Sequence, residues 1–141
     1  MNMRHTAYRQ STATSWTRID MLLALYDGSL FAVQHALQAI QVGKQDKLIT
    51  HRHRAQRLIT ELLAGVDAEQ GELANNVYRL LMFCLMQTTE STTDEWKSVA
   101  SILQQLRDAF AEIRDEAARL EQIGQIPKLG HDTAELTLAI S

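Results

Sequence analysis

The sequence predicts an all-α protein: an antiparallel up-down four-helix bundle with a flexible N-terminal segment and a short C-terminal tail. Three observations carry that expectation. Apolar residues recur at steps of three and four through most of the chain, the spacing of one helix face. Breakers are few, one proline and six glycines in 141 residues, and apart from Gly28 they fall between the periodic segments, whereas strands would need turn signals at closer intervals. Long helices joined by short turns pack antiparallel. A chain of this length makes one domain, able to bury about two-thirds of its unfolded surface. Its expected organisation is a cover segment over 1–16, the bundle over 17–123 and a tail over 124–141.

The first helix is expected to begin at Thr17, whose hydroxyl can cap free backbone N–H groups, with Asp20 adding negative charge at the positive helix end. Trp16 and Met21 are spaced as a hydrophobic staple across that cap. Ile19, Leu23, Tyr26, Leu30, Val33, Leu37 and Ile40 form its main stripe, and Gly43 ends it. Leu22, Leu25, Ser29, Ala32, Ala36 and Ala39 form a second seam, small enough for another helix to come close. Gly28 lies off the main stripe. A glycine inside a helix costs roughly 1 kcal/mol against alanine, so it reads either as a chance exposed residue or as a point of close approach.

The second helix is expected over Asp46–Ala64, with Leu48, Ala55, Ile59, Leu62 and Val66 on one stripe and a turn marked by Gly65 and Asp67. The third spans roughly Glu69 to Thr89. Thr92-Thr93-Asp94-Glu95 has the pattern of a capping box opening the fourth. Trp96, Val99, Leu103, Leu106, Phe110, Ile113, Ala117 and Leu120 then make a heptad seam suited to left-handed bundle packing.

Composition excludes several function classes. Fourteen basic residues against seventeen acidic ones give no polycationic surface for nucleic acid. The single cysteine, Cys84, fits a reducing compartment and an inert buried thiol. The opening residues MNMRHTAYRQSTATS hold no apolar core of a secretory signal, and no run approaches a membrane span of about 20 residues. A cytoplasmic location is expected, without stable membrane insertion. No histidine follows an acidic residue by three positions, as a bundle di-metal site requires. No phosphate-cradling glycine loop or nucleophile elbow is present either. Neither an enzyme nor a resident cofactor or metal is expected. His51, His53, Arg52, Arg54 and Arg57 read as a solvated basic face, with docking of an acidic partner as the alternative.

The third helix departs from bundle economy. From Val77 to Met86 every residue except Arg79 is apolar or aromatic, whereas a bundle helix needs only one apolar face. A helix apolar all round must bury its outer side against something else. A terminal segment of the same chain, a second copy, or an amphipathic partner helix in a groove would each do so. Met82 and Met86 suit an adaptable contact surface.

Several stretches carry a resemblance. TRIDMLLALYDG (Thr17–Gly28) resembles the start of the first helix in the FliS family of flagellar export chaperones. AQRLITEL (Ala55–Leu62) is similar to its second helix, Val66-Asp67 through Gly71 to Ala74-Asn75-Asn76-Val77 to its next loop and third helix, and LQQLRDAF (Leu103–Phe110) to its fourth. The resemblance covers roughly residues 8 to 120. Arg18 stands where proline is usual, Leu81 and Phe83 where tyrosines are usual, and Thr88-Thr89 where Ala-Asn is usual, which marks a divergent member.

The resemblance implies a non-enzymatic chaperone that binds the C-terminal segment of flagellin and prevents premature polymerisation. It implies delivery to the export gate, whose cytoplasmic domain is a second expected partner. The expected contact residues are Tyr26, Val77, Tyr78, Leu81, Phe83, Leu85 and Met86, with Tyr8 in a cover over the groove and Thr133–Ile140 as another candidate cover. The expected state is a monomer or weak dimer. Two alternatives stay open: a histidine-phosphotransfer-like bundle using His35, and a purely structural dimeric bundle.

Overall fold

The computed structural model describes residues 16–126. The expected cover segment with Tyr8, and Thr133–Ile140 of the tail, lie outside the described residues. Within them the chain is all-helical: α1 (Arg18–Val42), α2 (Gln45–Ala64), a 3-10 turn (Ala68–Gln70), α3 (Glu72–Gln87), α4 (Thr93–Glu112) and α5 (Arg114–Gln122).

α1 starts as its sequence dictates. The Thr17 hydroxyl accepts the Asp20 N–H and the Asp20 carboxylate accepts the Thr17 N–H, a complete capping box. Gly43 ends the helix with φ +73°, a left-handed geometry that a side chain would strain. The seam of small residues is buried: Ser29, Ala32, Ala36 and Ala39 are all interior, with the Ser29 hydroxyl donating to the Leu25 carbonyl at 2.8 Å.

α1 packs on α2 and on α4, and α3 packs on the same two helices, so α1 and α3 stand diagonally opposed. A Cβ on Gly28 would lie 3.4 Å from Leu58, while His35 meets His51 across the same seam. Low numbers on one helix meeting high numbers on the other make α1 and α2 antiparallel. Tyr26 stacks on Phe110 and Asp27 pairs with Arg107 of α4, while Asp20, earlier on α1, pairs with Arg114 at the start of α5, which gives the same antiparallel sense. The core is built from Tyr26, Leu30, Val33, Leu48, Ile59, Leu62, Leu81, Trp96, Val99 and Leu103.

The close approach at Gly28 is thus to α2, and the atom it meets is the flexible end of Leu58. Gly28→Ala is therefore expected to raise stability, by about 0.5–1 kcal/mol from helix propensity. Chemical denaturation checks this, and a lower midpoint would show that the seam cannot yield.

Three expectations are corrected. The third helix begins at Glu72 rather than near Glu69. Asp67 accepts the Glu69 N–H and closes a 3-10 turn, and Gly71, at φ +134°, breaks the path before α3 can start. The capping box at Thr92 does not form: Thr92 is the N-cap residue, but its side chain makes no cap bond. Instead Trp96 and Arg52 hold the α3–α4 connection, as described below.

The third correction concerns the fourth helix, which is not continuous. It stops at Glu112, and Ile113 is exposed where the heptad seam requires it inside. The inward positions after the break are Ala118 and Glu121 instead of Ala117 and Leu120, so the seam slips by one residue. The slip serves the N-terminus of α1. Arg114 grips the Asp20 carboxylate with two bonds, Nε to Oδ1 at 2.9 Å and Nη2 to Oδ2 at 3.0 Å, and the Glu121 carboxylate accepts the Arg18 N–H at 3.2 Å. A straight helix would turn those side chains elsewhere.

The Arg114 guanidinium, more than the Thr17 bonds, holds the Asp20 carboxyl below the usual carboxylate range, although partial burial opposes it. A depressed folded-state value means this stabilisation is complete above the unfolded value, about 3.9. It is lost as pH falls through the lower folded value. The acid arm of the stability profile is expected to flatten in Asp20→Asn. An unchanged arm in that variant would assign the acid sensitivity to other groups.

Candidate partner-binding surface

α3 is the helix whose sequence demands an explanation, and its neighbours decide which way each residue faces. Val77, Leu81 and Cys84, at steps of four and three, point inward and are buried. Met82 and Leu85 are half-buried on the flanks. Leu73, Leu80, Phe83 and Met86 are exposed, Leu73 at 78 % and Met86 at 66 %. At about 100° per residue these four fall within a sector roughly 140° wide, which runs from the outer side of α3 to the flank beside Cys84 and also carries Asn76 and Arg79. Tyr78 emerges on the opposite flank. Among the described residues, five of the eleven exposed large apolar side chains belong to this sixteen-residue helix. Such concentration separates it from scattered surface apolar residues, which are ordinary.

The expected contact set divides accordingly. Tyr78, Phe83 and Met86 lie at the surface, with Leu85 half-buried beside them. Tyr26, Val77 and Leu81 are interior. Tyr26 is 1 % exposed with its ring 5.7 Å from Phe110, and burial pushes its phenol well above the usual range. It sits on the main stripe of α1 and packs as that stripe packs. Leu73 and Leu80 were missing from the expected set. The signal for them is present in the sequence, since Leu73, Leu80 and Phe83 are spaced seven and three along a helix.

The platform beneath the stripe is tied down by hydrogen bonds from two neighbouring helices. Trp96 is fully buried and its indole N–H donates to the Glu90 carbonyl at 2.8 Å. Arg52 reaches from α2 to donate to the Thr88 carbonyl, the Glu90 carbonyl and the Ser91 hydroxyl, at 2.8–2.9 Å. Residues from three segments thus close the end of α3 nearest Met86. Arg52 therefore leaves the solvated basic face expected of it and becomes a bracket.

The other chemically interesting groups are quiet. Cys84 is buried, and desolvation pushes its thiol up to about 12, which makes it a poor nucleophile. The Nδ1 of His35 lies 2.8 Å from the Phe31 carbonyl, with the ring between those of Phe31 and His51. Among the described residues no three His, Cys, Asp or Glu side chains gather as a metal ion would need. Nor is any helix there long and apolar enough to cross a membrane. A depression of about 460 Å³ lies on α1 and α5, lined by Trp16, Asp20, Leu23, Ala24, Asp27 and Arg114. Its carboxylates are already paired with arginines, so it offers an amphipathic helix far less than the α3 stripe does.

A comparison with curated proteins finds no match. A comparison with family models does: the chain matches the model for FliS, described as flagellar protein FliS, over residues 1–117. That span takes in all of α1 to α4 and reaches the start of α5, and so includes the capped first helix, the bracketed turn and the apolar α3. With most of its length matched, the chain belongs to the FliS family of flagellar export chaperones.

Proposed function

We propose that this protein is a cytoplasmic chaperone for flagellin, built as an antiparallel up-down four-helix bundle whose fourth helix is broken at Ile113. Its client is the amphipathic C-terminal segment of flagellin, seated as one or more short helices on the outer face of α3. The observation that carries this reading is the exposed stripe of Leu73, Leu80, Phe83 and Met86. Tyr78 and Leu85 form its opposite flank, while Tyr26, Val77 and Leu81 support it from within. Tyr8 remains the proposed residue of a cover over this face.

The physical logic is that of a helix in a groove. A free amphipathic tail associates with its own kind, and hiding its apolar side blocks filament growth before export. The tail orders only on binding, which moderates affinity and permits release at the export gate, the second proposed partner. Nothing in this requires catalysis, and the family the chain matches is a chaperone family. The phosphotransfer alternative lacks support, because His35 is flanked by two rings and held at a backbone carbonyl.

Co-expression with a flagellin C-terminal fragment, followed by mass measurement on the eluted species, tests the reading. A stable one-to-one complex is expected. Fragment eluting apart from a free chaperone would overturn it.

A further inference from the structure

A second surface, distinct from the α3 stripe, lies along the outer crease between α1 and α2. Phe31 projects from α1 and is 54 % exposed. Its ring lies 4.1 Å from that of His35, which in turn lies 5.0 Å from His51 on α2. The Arg54 guanidinium stands over Phe31 at 6.0 Å. Lys47 precedes His51 by one turn and Arg57 follows Arg54 by three residues, both exposed.

Charge on this crease is mostly positive. Among the described residues no carboxylate pairs with Lys47, Arg54 or Arg57 within 4.0 Å. Asp27, one turn before Phe31, is engaged by Arg107 of α4, and Glu61 is buried with the charge of Arg57 acting on it, which leaves Lys47 and Arg54 as the cations free to meet a partner. On a chain of net charge −3 this is a local concentration of unpaired cations around an exposed aromatic ring. Long polyanions are disfavoured by the overall negative charge. A short segment mixing carboxylates with apolar side chains satisfies both halves of the surface at once.

We propose that the α1–α2 crease, with Phe31 and His35 on one side and Lys47, His51 and Arg54 on the other, is a docking site for an acidic, partly apolar peptide segment of a partner protein. This goes beyond the flagellin reading and does not depend on it. The site carries its own pH dependence. Desolvation lowers the His51 imidazole first, and the neighbouring His35, Lys47 and Arg54 lower it further. An arriving carboxylate favours the imidazolium, so docking takes up protons and strengthens as pH falls through the imidazole range.

A short synthetic peptide of alternating glutamate and leucine, titrated into the isotope-labelled full chain, is the probe. Amide signals of Phe31, His35, His51 and Arg54 are expected to shift, with affinity several-fold higher at pH 6 than at pH 8 and about tenfold lower when salt is raised to several hundred millimolar. Lys47→Glu with Arg54→Glu is expected to remove the response while the circular dichroism stays unchanged. Silence of these signals in the wild-type chain would overturn the proposal. So would equal binding of a glutamine–leucine peptide, which would mean apolar adhesion alone. Tighter binding of an oligothymidylate strand at the same residues would reassign the site to nucleic acid.

Discussion

Replacing Phe83 and Met86 together with glutamate is expected to weaken binding of the flagellin C-terminal segment by at least about 100-fold, with little change in melting temperature. Both side chains are exposed, so the fold loses almost nothing when they change. At an interface two central apolar contacts each contribute roughly 1–2 kcal/mol or more. A carboxylate in their place must also be desolvated, which adds to the loss. The matched control is glutamate at Ile49 or Val42, which are equally apolar and exposed but lie away from α3. Affinity by calorimetry and melting by circular dichroism separate the two quantities. Control variants losing as much affinity as the α3 pair would mean that the stripe is not the contact surface.

Trp96→Ala is expected to be the most destabilising single substitution, by about 3–5 kcal/mol, against a total of about 5–15 kcal/mol for a domain. Trp96 heads the largest fully buried side chains, and truncating it opens a cavity where α4 meets the core. Its indole N–H also holds the Glu90 carbonyl. Trp96→Phe separates these roles: it keeps a ring but removes the donor, and Arg52 still serves the same carbonyl. The phenylalanine variant is therefore expected to lose much less. Equilibrium unfolding in urea orders the three proteins, and equal losses would place the effect in the hydrogen bond rather than the volume.

What the sequence made legible follows a physical division. The start of α1 was readable because Thr17 and Asp20 lie within one turn of each other and settle the cap between themselves. Gly43 and the stripe of α2 were readable for the same reason, since local chemistry and period agree. The break at Ile113 was not. Its heptad spacing is unbroken, and the reason to break it lies about a hundred residues away, in Asp20 and the Arg18 N–H. Thr92 shows the converse: a valid capping pattern stayed unused once Trp96 and Arg52 held the turn. The site was half legible. Excess apolar surface on α3 is visible in composition alone, but a helix apolar all round has no phase until its neighbours supply one. Val77, Leu81 and Cys84 turn out to face them, and Leu73 and Leu80 do not. Tyr26 was named for its place in a family motif, and its place on the α1 stripe is what buries it.

Methyl-labelled methionine spectroscopy on the full chain, with a flagellin C-terminal fragment added to saturation, reports on the outer face of α3 itself. Met86 is 66 % exposed at the end of the stripe, and its methyl group is an isolated reporter. The Met86 signal is expected to move and to lose contact with a solvent paramagnet as a one-to-one complex forms, with Met82 following in part and Met21 on α1 staying still. A saturated complex in which Met86 keeps its free position and its full access to solvent would contradict the seating of the client on α3.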